Sequence, residues 1–425
     1  MPPSTVGGSL ADGRYQVVDK LGYGGYATIW LARDLRTGRY VAVKTMTADA
    51  SNDTPDATLL HSLGPLPPRP GKEVFPPLLD EFWAASPNGQ HRCIATPPAR
   101  MGLFDAKEAS TFGLFRPRVA QAMIAQLIRG VSFLHSLGFV HGDLHLGNIL
   151  VQFPRSLDCI APSELYERYG EPESEEVVRL DDKPLSDSVP ARVFIPGWFG
   201  VCSDDLPLGE EQITLSDFGE SFKPRETART ASKTLPLLPP PEARFSDEPL
   251  SFASDIWTLA CTIWEILAQR PLFETFFSSP DRVTAEQWWA KWSRRLDWFD
   301  EEGRLDLVKT GRAGPGGGCR SWERRFEDSI QTPRAEVGFE RVTEEERAAF
   351  LGMLRGMLAF RAGERSTARE VLESRWMGGW GIPASEESWG GFGHEGGKEM
   401  RQITHCAYSH SGEPPLRPRA SHATP

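Results

Sequence analysis

The stretch His141-Gly142-Asp143-Leu144-His145-Leu146-Gly147-Asn148-Ile149-Leu150-Val151 constrains this chain more than any other. Just before it, Met123, Leu127, Val131 and Leu134 recur at helical spacing within residues 118–137, which predicts a helix there. Just after it, the run Ile149–Val151 reads as an apolar strand. A helix, a tight polar turn and a strand must therefore follow one another. Asp143 and Asn148 sit five residues apart in that turn, between two elements that a core would hold rigid. A plain polar turn with two Asx caps uses the same residue types, but the flanking elements favour a site.

Upstream, Tyr15–Leu21, Thr28–Asp34 and Tyr40–Thr45 are rich in Val, Ile, Tyr and Trp and read as strands. Leu21-Gly22-Tyr23-Gly24-Gly25-Tyr26-Ala27-Thr28-Ile29 joins the first two. A strand, a glycine-rich turn and a second strand can lie over a nucleotide and offer backbone N–H groups to phosphates. The glycine pattern is incomplete, because Ala27 stands at its third position. The third strand ends in Val41-Ala42-Val43-Lys44, which would bring an ammonium beneath the loop. A strand-end lysine reaching for solvent is the plainer alternative. Downstream, Ile213-Thr214-Leu215-Ser216-Asp217-Phe218-Gly219 is a short strand running into a carboxylate suited to a hard cation.

A short helix is expected over Asp53–Leu63, with Thr54 as N-cap and Pro55 at its first position. Residues 64–77 are Pro-rich loop, and Asp255–Ala268 is a helix apolar nearly all round, hence buried. Residues 152–212 read as an acidic insertion, 1–13 as a disordered leader and 386–425 as a disordered tail. Of the 425 residues, six are cysteines (Cys93, Cys159, Cys202, Cys261, Cys319 and Cys406) with no C-x-x-C pair. That argues against a zinc site or disulfide framework and for a reducing compartment, cytoplasm or nucleus. The net charge of −11 disfavours direct nucleic-acid binding and suits a basic peptide, although solubility alone would explain it. No signal peptide or membrane-length apolar run is seen, and a monomer is expected.

In order and spacing these motifs resemble the protein-kinase superfamily. The likeness implies an α+β, two-lobed fold: a small, mostly antiparallel N-lobe over 14–98 and a large helical C-lobe over 99–385, interrupted by the insertion 152–212. It implies ATP and Mg2+ as cofactors. Asp143 would act on the acceptor hydroxyl, and Lys44 would hold the ATP phosphates beneath the 22–29 loop. Asn148 and Asp217 would hold the metal. His145 stands where a lysine normally touches the γ-phosphate, and Gly142 where an arginine reads a phosphorylated activation loop. Without that arginine, activity is expected not to depend on phosphorylation of Thr227, Thr230, Ser232 or Thr234. Pro240-Pro241-Glu242 and Arg361-Ala362-Gly363-Glu364-Arg365 match late motifs. By analogy Glu242 pairs with Arg365, and Asp255 holds the catalytic-loop backbone.

Within the superfamily the chain resembles the SR-protein kinases, and among them the divergent fungal members. The resemblance is carried by Thr28-Ile29-Trp30-Leu31, the insertion, Ser216-Asp217-Phe218-Gly219-Glu220-Ser221-Phe222, Pro240-Pro241-Glu242-Ala243-Arg244-Phe245 and Asp255-Ile256-Trp257-Thr258-Leu259-Ala260-Cys261. It implies a serine/threonine kinase whose protein substrates are basic, Arg/Ser-rich and involved in mRNA processing. It also implies a nucleotide site built from Leu21, Gly22, Tyr23, Gly24, Gly25, Ile29, Ala42 and Lys44. The hinge falls at Thr96-Pro97-Pro98-Ala99, with Thr96 as gatekeeper and Pro97 and Ala99 offering a carbonyl and an N–H to adenine. Asp56 aligns with the helix glutamate that pairs with the strand lysine. Two alternatives compete: a catalytically weak pseudokinase that binds partners, and a small-molecule kinase of the aminoglycoside/choline type, whose loop resembles His141–Asn148.

Overall fold

The computed structural model describes residues 6–52, 55–181, 183–186, 188–245, 248–273 and 321–393. Its N-terminal part is one sheet of β1 (Ser9–Leu10), β2 (Tyr15–Tyr23), β3 (Ala27–Asp34), β4 (Arg39–Met46), β5 (Asp80–Ser86) and β6 (Gly89–Thr96), with α1 (Pro55–Leu63) between β4 and β5. The strand order is β1-β2-β3-β4-β6-β5, and every neighbouring pair is antiparallel. Because side chains alternate across a pleated strand, each strand serves two faces. Trp30, Ala32, Val41, Val43, Cys93 and Ala95 form a core on one face. Ile29, Ala42, Lys44 and Thr96 share the other: Ile29 pairs across to Lys44, and Ala42 to Thr96.

A second, three-stranded sheet begins with β7 (Ala99–Gly102), whose neighbour β8 (Ile149–Gln152) lies between it and β11 (Ile213–Leu215). It stands on a helical body. The helix α2 (Leu103–Glu108) follows β7, and α3 (Pro117–Ser136) carries Pro117 at its start, where a missing N–H costs nothing. Helix α5 is the short Glu242–Phe245 segment, and α6 (Phe252–Leu267) opens on a capping box between Ser251 and Ser254. Met123, Leu127, Val131 and Leu134 of α3 meet Ile256, Ile263 and Trp264 of α6, together with Phe350 and Trp376, in the main core.

The insertion is ordered around α4 (Pro162–Tyr169) and the hairpin β9 (Ser174–Glu176) and β10 (Arg192–Phe194). Leu157, Leu165 and Phe199 pack with Val18, Leu31 and Tyr40 of the large sheet. The stretch 194–203 then works as a strap. Lys20 Nζ donates to the Phe194 carbonyl at 2.9 Å, and Gly197 N–H donates to the Lys20 carbonyl at 2.8 Å. Further along, Arg100 Nε donates to the Phe199 carbonyl at 3.0 Å and Ser203 N–H to the Ala106 carbonyl at 2.9 Å. One segment thus ties the large sheet, β7 and α2 together.

Three expectations change. Residues 6–13, expected as disordered leader, include strand β1, paired through Ser9↔Gln16 and Leu10↔Tyr15. The expected tail from residue 386 continues as helix to Gly393 from a start at Ile382. The 64–77 loop contains a 3-10 turn, Lys72–Val74, that buries Val74. The N-cap role expected of Thr54 lies outside the described residues, as does the tail beyond 393. Among the described residues, no helix is long and apolar enough to cross a membrane.

Candidate active site

Strand β4 delivers Lys44 to the face it shares with Ile29, Ala42 and Thr96. Lys44 Nζ lies 2.9 Å from Asp56 Oδ1 and 2.8 Å from Asp217 Oδ1. Burial works against the ammonium, but the two carboxylates outweigh it and hold its pKa above the ordinary lysine value. Asp56 is the first-turn acid of α1 and is buried. Its Oδ1 also accepts the Phe218 N–H at 3.0 Å, while Oδ2 has no hydrogen-bond partner among the described residues. Helix α1 is therefore close enough for an aspartate to reach the lysine despite being one methylene shorter than glutamate.

Asp217 follows β11 with a left-handed backbone, φ 57°. Burial raises its carboxyl and Lys44 lowers it; the net position is below the usual carboxylate range. Phe218 locks this turn from behind, with its ring 5.8 Å from Phe75 and 5.4 Å from His141.

The loop of residues 141–148 is held from below by Asp255 of α6. Its two oxygens accept the His141 N–H at 2.7 Å and the Gly142 N–H at 2.9 Å, and His135 Nε2 stands 2.9 Å from Oδ2. Gly142 has φ 83°, and a Cβ there would fall 2.4 Å from the Glu220 carbonyl oxygen. The missing arginine thus has a steric cause, since only glycine takes this backbone without moving Glu220. Asn148 Nδ2 donates to the Asp143 carbonyl at 2.9 Å and to Asp143 Oδ2 at 3.2 Å. The Ser216 N–H and hydroxyl both donate to the Asn148 carbonyl, at 2.9 and 3.1 Å, linking this loop to the Asp217 turn.

His145 Nδ1 accepts the Gly147 N–H at 3.1 Å, so the neutral ring carries its proton on Nε2, 3.5 Å from Asp143 Oδ2. Burial raises the Asp143 carboxyl, but His145 beside it wins, and it sits below its ordinary value. A carboxylate at neutral pH, held between an amide and an imidazole, can orient a hydroxyl and take up its proton.

Structure thus brings Lys44 and Asp217 together, and Asp143, Asn148 and His145 together. Ile29, Ala42 and Thr96 share one sheet face, whereas the ring of Tyr23 is exposed and lies 4.4 Å from the Lys20 ammonium. Gly24 and Gly25 are open loop residues, with Gly24 N–H closing on the Ala27 carbonyl at 2.9 Å. Pro97 is exposed and Ala99 already belongs to β7, paired opposite Gln152. Leu21 is the bulged residue of β2, between Lys20 and Gly22. The pair foreseen by analogy is present: Arg365 bonds both oxygens of Glu242, at 2.8 and 2.6 Å, in a buried setting. In the sequence Thr234 carries only the signal of a modifiable hydroxyl, and Phe75 and His135 carry none. Their partners lie far away in sequence, and nothing local marks them.

These two lobes, with a lysine, a loop carboxylate and a D-F-G turn at their junction, define a protein-kinase fold. Residues 15–157 match the protein kinase domain family. A serine/threonine protein kinase of Aspergillus fumigatus is 24% identical over 87% of this chain and 86% of its own. A serine/threonine-protein kinase SRPK of Physarum polycephalum is 22% identical over 87% of each. Mouse SRSF protein kinase 3 is 32% identical over 34% of this chain and 26% of its own. A solved kinase domain at 15% identity superposes with a TM-score of 0.56, covering 88% of this chain and 98% of that one, which speaks for the fold. By these likenesses the chain resembles serine/threonine protein kinases, and among them the SR-protein-kinase branch.

Proposed function

We propose that this protein is a serine/threonine kinase that transfers the γ-phosphate of ATP to protein hydroxyls. The observation that supports it most is the closed Asp56–Lys44–Asp217 chain, with Asp143 and Asn148 already bonded to each other beside it. Lys44 holds the nucleotide's α- and β-phosphates, and the 22–29 loop covers them with backbone N–H groups. Ile29, Ala42 and Thr96 line the sheet face over the base. Asp143 orients the acceptor hydroxyl and accepts its proton, and His145 Nε2 donates toward the transferring phosphoryl group.

Asp217 and Asn148 fit a hard divalent cation. The first offers an ionised carboxylate, and the second spends its amide N–H on Asp143 and keeps its carbonyl oxygen. When bound there, Mg2+ supplies charge neutralisation of the phosphates. Asn148 and Asp143 are locked in register by their mutual bond, so the hydroxyl and the phosphate side are positioned by one turn.

The Arg/Ser-rich, mRNA-processing substrate class rests on the named relatives alone, and a basic acceptor suits the acidic chain. Purified protein incubated with labelled ATP and an Arg/Ser-rich peptide should transfer phosphate, and Asp143→Ala should abolish it. Nucleotide binding with no turnover would instead support the pseudokinase alternative.

A further inference from the structure

Glu220 directly follows the D-F-G turn and belongs to none of the groups described so far. Its backbone carbonyl is the atom that Gly142 makes room for. The same carbonyl accepts Arg229 Nη1 at 2.9 Å. Its carboxylate faces Arg229 Nη1 at 3.3 Å through Oε2 and Lys233 Nζ at 2.9 Å through Oε1. Arg229 is itself anchored, with its guanidinium 4.8 Å from the Phe222 ring and its carbonyl accepting the Leu250 N–H at 2.6 Å. Phe222 pairs with Val140, the residue before His141, through two backbone bonds of 2.8 and 3.1 Å. Lys233 immediately precedes Thr234, which stands beside Asp143.

One carboxylate therefore joins the start of the activation segment, which runs from Asp217 to Glu242, to residues 229–233 further along it, beside the glycine of the 141–148 loop. Kinases that are switched on by phosphorylation order this segment by pairing an added phosphate with arginine. Here the negative charge is already in the chain, and it takes two cations of the segment itself. We propose that Glu220 is a positioning residue: a built-in acidic clasp, with Arg229 and Lys233, that holds the acceptor-binding end of the activation segment against Asp143 without any phosphate. This rests on the kinase reading above for its activity readout, although the clasp is testable without it.

The test uses the full chain as wild type, Glu220→Gln, Glu220→Asp, Lys233→Met and the double variant Glu220→Gln/Lys233→Met. Hydrogen exchange of the amides over 226–236 is measured, together with kcat and KM for the protein acceptor and the Kd for ATP. Glu220→Gln should speed exchange in that segment and lower kcat/KM for the acceptor about tenfold, the scale of a lost charge-assisted bond. The ATP Kd and the thermal midpoint should change little, because Lys44 and the sheet are untouched. Glu220→Asp should recover part of the loss, and the double variant should be no worse than Glu220→Gln. Unchanged exchange in Glu220→Gln, or additive losses in the double variant, overturns the clasp. If the wild type transfers no phosphate, the kinase reading fails, and the exchange data still decide on the clasp.

Discussion

Asp56 offers the sharpest test of how Lys44 is set. Its Oδ1 serves two donors, Lys44 Nζ at 2.9 Å and the Phe218 N–H at 3.0 Å, whereas Oδ2 serves none among the described residues. Removing one partner of a buried ion pair costs about 3–5 kcal/mol. Lys44 keeps Asp217 at 2.8 Å, so the low end, about 3 kcal/mol, is expected for Asp56→Asn. The asparagine carbonyl can still accept from Phe218. Asp56→Ala loses that acceptor too and strands a buried N–H, adding about 1–3 kcal/mol. The two variants should therefore rank Asn before Ala, in urea unfolding and in kcat/KM alike. If the whole Asn loss fell on the transition state, kcat/KM would drop about 100-fold. The reasoning is refuted if Asp56→Asn lies within about 0.5 kcal/mol of wild type in both measurements, the usual spread for a neutral surface change, or if Ala is no worse than Asn.

Other outcomes follow from the same geometry. Glu242→Gln leaves Arg365 buried without its charge partner and should cost about 3–5 kcal/mol in urea unfolding; a cost under ~1 kcal/mol would show the pair to be ornamental. Burial lowers the His141 pKa, so the unfolded chain binds more protons below its ordinary value of about 6.5. The stability this group contributes is full above that pH and is lost as pH falls toward the lower folded value, so urea midpoints should begin to fall on acidification below roughly 6.5. Phosphatase treatment should leave activity unchanged, and glutamate at Ser232, which competes for Lys233 and Arg229, should lower acceptor kcat/KM severalfold. Gly142→Arg should lose most activity and stability, since its Cβ meets the Glu220 carbonyl at 2.4 Å.

The central residues were legible because each sits in a motif with a local signature: a glycine turn, a strand-end lysine, an Asp–Asn turn after a helix. The strands β2, β3 and β4 were legible to within two residues because β-branched and aromatic residues cluster between glycine and turn signals. What stayed hidden was held by distant partners. Leu157, Leu165 and Phe199 are spread over more than forty residues with no common period, so nothing local shows that they roof the large sheet. The helix from Ile382 is rich in Gly and Ser and has weak intrinsic propensity. It is fixed by tertiary bonds, Arg129 Nη1 to Ser385 Oγ at 3.2 Å and Gln212 Nε2 to Ser388 Oγ at 3.1 Å. Gly142 was legible as an absent arginine, but its cause required the carbonyl of Glu220. The same holds for Asp56, whose role turns on where α1 lies.

The strap of residues 194–203 has a consequence for how the protein is made. The large sheet is complete in sequence at Thr96, but the residues that cover its Val18–Leu31–Tyr40 face end only at Phe199. Chains emerge from the ribosome N-terminus first, at about 5–20 residues per second. For roughly 5–20 seconds of synthesis, then, the sheet stands with an apolar face that its own chain has not yet supplied a cover for. The N-terminal part is thus a debtor to later sequence, and its final folding must wait for the insertion. Newly made chains should depend on chaperones during this interval, and truncations between residues 97 and 199 should aggregate rather than accumulate as a folded small lobe.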